Sequence, residues 1–189
     1  QIVTFSTLYP NAVRPHHGIF VETRLRQLVA SGDVAADVVA PCPWFPFASP
    51  RFGSYGGYAR IPHREHRGGF EVVHPRYVVI PKFGMSATPL TLFAATLPVL
   101  RRRLRTGRGF DLIDAHYAYP DGVAAVMLGR ALGRPVVITA RGTDVVRIPD
   151  FALPRLWLRW ALRHADGLVA VSAGLKARLV ALGVAPDRV

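Results

Sequence analysis

The segment Ala165-Asp166-Gly167-Leu168-Val169-Ala170-Val171-Ser172, running into residues 173–182, decides the fold. Residues 168–171 form an apolar run of strand length, and Ser172 is an N-cap residue type placed where a helix would begin. Leu175, Leu179 and Leu182 then fall on one helical face, and Gly183 supplies a left-handed stop. Residues 185–189, with Pro186 and Asp187, open a turn toward another strand. A strand–helix unit that leads into a further element is expected to belong to a longer protein. Gln1, which enters an apolar strand without an initiator Met, fits that expectation.

The same alternation runs upstream. Residues 2–6 read as strand, and from Gly18 a helix sets Val21, Leu25, Leu28 and Val29 on its apolar face, with Glu22, Arg24 and Arg26 solvated. Residues 37–40 are strand. Residues 70–80 are strand interrupted or confined to an edge by Pro75. Thr88-Pro89 supplies an N-cap and first-turn proline for a helix with Phe93, Leu97, Leu100 and Leu104 on one face and a kink at Pro98. Residues 112–115 read as strand, 121–132 as a helix apolar nearly all round, and 135–139 as strand. Residues 152–164 form a helix with Arg155, Arg159 and Arg163 opposite Leu153, Trp157 and Trp160. The stretch 41–69 is rich in Pro, Gly, Arg and aromatics, and is expected to be an irregular insertion holding at most a small strand. Strands alternating with helices at this spacing predict an α/β fold, a Rossmann-like doubly wound parallel sheet covered on both faces.

Composition agrees with one domain. The chain has 189 residues, half of them hydrophobic and 19% charged, enough for a globular core. The lone Cys42 excludes an internal disulfide framework and is compatible with a reducing compartment. The longest apolar run, 90–100, carries Pro98 and is too short to span a bilayer. A net charge of +12, carried mostly by Arg, reflects either genomic base composition or anionic partners such as phosphate groups or a lipid surface. Nucleic acid is not an expected partner, because neither a stacking surface of aromatic and basic residues nor a recognition-helix pattern is present. GxGxxG, Walker A and GxSxG motifs are missing, and His63-Arg64-Glu65-His66 is not HExxH, so no metal site is expected.

In an open parallel sheet, ligands meet the loops that follow the carboxyl ends of the strands. Three such loops carry polar clusters. Arg14-Pro15-His16-His17-Gly18 opens a helix, where free N–H groups and the dipole favour an anion, or else it is a Pro/Gly turn with solvated histidines. His116-Tyr117-Ala118-Tyr119-Pro120-Asp121 suits hydroxyl-rich ligands, with Asp121 either in the site or the N-cap of the next helix. Arg141-Gly142-Thr143-Asp144 joins a cation, a flexible Gly and a carboxylate that orients hydroxyls or closes an Asx-type turn.

Gly18-Ile19-Phe20-Val21, Asp111-Leu112-Ile113-Asp114-Ala115-His116, Thr139-Ala140-Arg141-Gly142-Thr143-Asp144-Val145 and the segment from Ala165 to Ser172 occur in one order and spacing. Together they resemble the N-terminal half of retaining glycosyltransferases of family 4, of GT-B architecture. "GIFV" and "RGTDV" are most similar to the bacterial subgroup acting in cell-surface polysaccharide synthesis. The resemblance implies that residues 1–189 form the acceptor-side N-terminal domain, with a C-terminal donor-binding domain outside this chain. It implies transfer of a sugar, of hexosyl type, from a nucleotide-sugar donor to a glycan or lipid-linked acceptor, with no cofactor or metal. It further implies that this chain alone is inactive, and that the enzyme works in the cytoplasm.

Carried over residue by residue, the resemblance gives Arg141 and His116 catalytic roles. Arg14, His16, His17, Gly18, Tyr117, Asp121, Gly142, Thr143, Asp144 and Ser172 become substrate-binding. Three positions depart from the family's pattern. His17-Gly18 stands where a Gly-Gly pair is common, Arg141 where His is usual, and Asp114 where many relatives have His. An arginine cannot serve as a general base at neutral pH, yet it can stabilise charge on a departing diphosphate. The alternative of another class is a sugar- or nucleotide-binding Rossmann-like module without catalysis. The arginines at 101–105 and on 152–164 add a further expectation, docking of the domain on the anionic inner face of the plasma membrane.

Overall fold

A computed structural model describes residues 1–80 and 84–189. In chain order its elements begin with β1 (Ile2–Phe5), α1 (Ile19–Ala30), β2 (Ala36–Val39), β3 (Cys42–Pro43) and α2 (Gly53–Arg60). Next come β4 (Arg64–Arg67), β5 (Phe70–Val73), β6 (Arg76–Tyr77), α3 (Gly84–Arg105), β7 (Leu112–His116) and α4 (Val123–Leu132). The chain continues with β8 (Val136–Ala140), α5 (Thr143–Val146), α6 (Ala152–His164), β9 (Gly167–Ala170) and α7 (Ala173–Ala181).

The main sheet has the order β4-β5-β2-β1-β7-β8-β9. All its neighbours are parallel except the β4–β5 hairpin at one edge. Numbered along the chain, the six parallel strands run 3-2-1-4-5-6, the doubly wound Rossmann order. Its switch point lies between β1 and β7, so the polar loops that follow those strands face one crevice.

The two sheet faces bury different cores. Val3, Phe5, Val39, Ile113 and Ala115 pack with residues of α3, α4 and α6. On the other face Ile2, Val38 and Val72 pack against Val21 and Leu25 of α1. α4 is buried nearly all round, as its composition requires. On α6 the buried residues are Pro154, Leu158, Ala161 and Leu162. Trp157 and Trp160 are half-buried against the core, whereas Leu153 and Leu156 are exposed, so the expected division of that helix holds only in part.

Other expectations need correction. The insertion 41–69 is not irregular. It contains β3, α2 and β4, and β4 pairs antiparallel with β5 in register Arg64↔Val73. Pro75 ends β5, and the chain beyond it forms β6, which pairs with β3 in a small separate sheet. α3 begins at Gly84, before Thr88, whose hydroxyl bonds to the Gly84 carbonyl inside the helix instead of capping it. Glu22 is not solvated: it is buried between Arg26 at 2.6 Å and Arg67 of β4 at 3.1 Å. Of the strand expected over 70–80, residues 78–80 follow β6 without strand structure. Ser172 does cap α7, accepting a hydrogen bond from the Leu175 amide. Among the described residues no helix is long and apolar enough to cross a membrane.

Candidate functional site

At the carboxyl end of β7 the strand places Asp114 and His116 on one face, two residues apart. His116 is fully buried. Its Nε2 lies 3.0 Å from Asp114 Oδ2, and its Nδ1 lies 2.8 Å from Nη2 of Arg141, at the end of β8. Arg24 Nη1 also lies 3.2 Å from Nε2, but it donates to Asp114 Oδ2 at the shorter 2.8 Å. A guanidinium only donates, so we assign the ring proton to Nε2, directed at the Asp114 carboxylate, and Nδ1 accepts from Arg141. Burial is the main force holding the His116 pKa below its ordinary value, and the Arg141 and Arg24 charges add to it against the pull of Asp114. The ring is therefore neutral near pH 7.

Arg24, from α1, donates to Asp114 Oδ2 at 2.8 Å. Burial pushes the Asp114 carboxyl up, but the His116 bond and charge and Arg24 outweigh it and hold it below the usual range. Arg141 is half-buried, with its guanidinium 4.9 Å above the Phe20 ring in the first turn of α1. The guanidiniums of Arg24 and Arg141 thus flank the Asp114–His116 pair beside the start of α1, and the Asp144 carboxylate lies on the Arg141 amide, so two cations and two carboxylates meet at this edge.

The structure brings Gly18, His116, Arg141 and Asp144 to this one edge, with each in a particular place. Gly18 has φ 68, and a Cβ there would run into the Leu8 carbonyl, so glycine is required by the backbone before any ligand is considered. Asp144 is fully buried and accepts from the backbone amides of Ala118 at 2.6 Å, Gly142 at 2.7 Å and Arg141 at 3.2 Å. It is the staple that holds the β8 loop against the β7 loop, with both carboxylate oxygens engaged by backbone amides. Gly142, at φ 147, permits that turn, and Thr143 is exposed at the start of α5.

Asp121 is corrected in the same way. A π-type turn, Ala118–Gly122, intervenes before α4, so Asp121 does not cap the helix. Its buried carboxylate reaches back to β1's loop, accepting from the Thr7 amide at 2.8 Å, the Thr7 hydroxyl at 2.9 Å and the Ser6 hydroxyl at 3.3 Å. Burial nevertheless raises its pKa to about 7. Folding therefore favours its neutral form. The stability this gives is complete below its unfolded pKa near 3.8 and is lost as pH rises through about 7. His116 acts in the opposite sense at lower pH, because its depressed pKa costs stability as pH falls below 6.5. Subtracting the two proteins isolates Asp121. The gap in unfolding free energy between the chain and Asp121→Asn should shift by up to roughly 4 kcal/mol in favour of the variant between pH 4 and pH 8. A constant gap in urea titrations across that range would remove Asp121 as the titrating group.

The remaining expected residues separate. Tyr117 is half-buried and takes φ 85, a conformation that costs a non-glycine residue of order 1–3 kcal/mol. Arg14 bonds to the Tyr58 hydroxyl at 2.9 Å. His17, its pKa depressed by burial and by Arg14, lines with Arg14, Thr7, Asn11, Tyr58 and Tyr77 a cavity of about 120 Å³ beside the main cluster. His16 is exposed. Ser172 sits at the end of the outermost strand, β9, with its hydroxyl engaged as the α7 cap.

Arg24, Thr7, Phe20 and Tyr58 are the members that sequence reasoning missed. The i, i+2 alternation of Asp114 and His116 was available as a signal. For the others, only the tertiary fold joins them.

The fold and this edge define a Rossmann-like domain of GT-B type, with a polar, arginine-bearing cleft at its topological switch point. The model of Glycosyltransferase Family 4 matches residues 21–189, and the chain belongs to that family. A Bacillus subtilis (strain 168) protein named as a teichuronic acid biosynthesis glycosyltransferase, TuaC, is 30% identical over 156 residues, covering 80% of this chain and 39% of TuaC. The crystal structure of Anabaena Alr3699/HepE in complex with UDP superposes with TM-score 0.52 at 14% identity, over 100% of this chain and 42% of that one. UDP-N-acetylglucosamine 2-epimerase from Rickettsia bellii gives TM-score 0.54 at 9% identity, over 99% of this chain and 43% of its own. These two likenesses show the fold. The chain spans less than half the length of each of these three proteins.

Proposed function

We propose that this chain is the acceptor-side N-terminal domain of a retaining glycosyltransferase that moves a hexosyl group from a nucleotide sugar to a glycan or lipid-linked acceptor. The observation that carries the reading is the half-exposed Arg141, fixed by neutral His116 beside the N-terminus of α1. A second Rossmann-like domain of the whole protein would hold the nucleotide. Arg141 and the first turn of α1 would then face the diphosphate and stabilise the charge that develops as it departs, with no metal or cofactor required.

The carboxylates of the site support a front-face course with an oxocarbenium-like transition state. Asp114, Asp121 and Asp144 are all buried and hydrogen-bonded, so none of these three offers a nucleophile. His116 is no free base either, since both ring nitrogens are engaged. Its role is positioning. The cavity lined by Arg14, His17 and Tyr58 is the natural place for the acceptor, and TuaC's name favours a polysaccharide product.

The test is transfer from a panel of nucleotide sugars, assayed with residues 1–189 and with the whole protein. The whole protein should transfer with retention, read from the anomeric proton coupling, and the chain alone should not. Turnover by the chain at the rate of the whole protein would overturn the two-domain reading. No transfer by the whole protein from any donor would favour the non-catalytic binding module.

We further place the enzyme in the cytoplasm, at the inner face of the plasma membrane. Exposed Arg155 and Arg159 on α6 flank exposed Phe151, Leu153 and Leu156, and Arg101, Arg102 and Arg105 are exposed on α3. Each near-surface arginine is worth about 1 kcal/mol on an anionic leaflet. Sedimentation with anionic vesicles, and not with neutral ones, is the expected result. Equal binding to both, or to neither, would reject the electrostatic docking.

A further inference from the structure

We infer a second ligand site, separate from the crevice: a cavity between the last turns of α3 and the strands β2 and β5 that takes a single-chain amphiphile with an anionic head group. It does not depend on the sugar-transfer reading. The cavity holds about 260 Å³, just under the range of drug-sized ligand pockets, and suits a short alkyl chain with a compact head. Val73 from β5 and Val99 from α3 are partly exposed and give it an apolar wall, backed by the core residues Val39 and Leu100.

Four arginines line the same cavity, Arg64, Arg102, Arg103 and Arg108, against a single lining carboxylate, Glu71. Glu71 is divided between two of them, with Oε1 3.2 Å from Arg64 and Oε2 3.2 Å from Arg108. Arg103 is paired with Asp37 of β2, outside the lining. Arg102 has no carboxylate partner among the described residues. The lining thus keeps an excess of positive charge over an apolar interior. A neutral chain would leave the arginines unanswered, and a bare anion would leave the apolar walls in water. An amphiphilic anion satisfies both, with guanidinium–phosphate or guanidinium–carboxylate bonds at the head.

Isothermal titration of the chain with octyl phosphate, inorganic phosphate and octanol separates the contributions. Octyl phosphate should bind at least about tenfold more tightly than either of the others. Arg102→Gln and Arg108→Gln, both surface changes, should together weaken octyl phosphate about tenfold or more while the circular dichroism stays unchanged. Equal binding of inorganic phosphate would reduce the site to an anion patch, and equal binding of octanol would reduce it to an apolar hole. Either result overturns the inference, as does octyl phosphate binding that ignores both substitutions, or no binding at all.

Discussion

Arg141→Ala in the whole enzyme is expected to lower kcat about a hundred- to a thousandfold while leaving the KM for nucleotide sugar within about threefold. The reason is the placement of the charge. Arg141 is held by an accepting nitrogen of His116 and by Phe20 beneath it, so under the proposed function its guanidinium would be oriented before the diphosphate begins to leave. A donor preorganised in this way acts mainly in the transition state, where charge on the leaving group is greatest. Arg141→Lys keeps the charge but loses the planar fork, and should recover only part of the rate. His116→Ala removes no charge from the cleft, yet it frees Arg141, so a smaller fall in kcat of about tenfold is expected with little change in KM. Steady-state kinetics of the three variants checks the order. A wild-type kcat in Arg141→Ala with a raised KM would mean that Arg141 only binds the donor.

Asp144→Ala should cost roughly 3–5 kcal/mol of stability in the isolated chain, because three buried or half-buried backbone amides lose one shared acceptor. The loops after β7 and β8 would then no longer be tied together, and Tyr117, already at positive φ, would lose the support that holds it there. Asp144→Asn should be intermediate, since one carboxamide oxygen can still accept while its amino group meets further donors. Urea unfolding at pH 7 measures both. If the carboxylate instead served a substrate hydroxyl, stability would stay within about 0.5 kcal/mol of wild type and only the KM would move.

Much of the fold was legible in the sequence for a physical reason: its evidence was local. Residues 168–182 carry the strand, the Ser172 cap and the leucine face within one short stretch, and the structure reproduces each. What failed depended on distance. Glu22 reads as solvated from its own helix, and only Arg67, arriving from β4, makes its burial tolerable. Asp121 has the chemistry of an N-cap, but a π-type turn takes up Ala118–Gly122 and leaves its carboxylate to Thr7. α2 escaped because eight residues, GSYGGYAR, are too short and too glycine-rich to show a helical period. At the site, the loops were found from strand ends alone. The roles within them were not, because Asp144 and Asp121 look like ligand-binding residues until their backbone and hydroxyl donors are seen. Arg24 entered the cluster from a helix face that the sequence assigned to solvent.

The arrangement of Arg141 depends on a neutral His116 that accepts through Nδ1 and donates through Nε2, and that state is directly observable. Nitrogen NMR of the histidine rings, followed from pH 8 downward, should show one buried imidazole whose Nε2 is protonated and whose Nδ1 is not. Its second protonation should fall below pH 6.5, and Arg141→Ala should alter its Nδ1 shift. A His116 ring that is doubly protonated near neutral pH, or that carries its proton on Nδ1, would contradict the account.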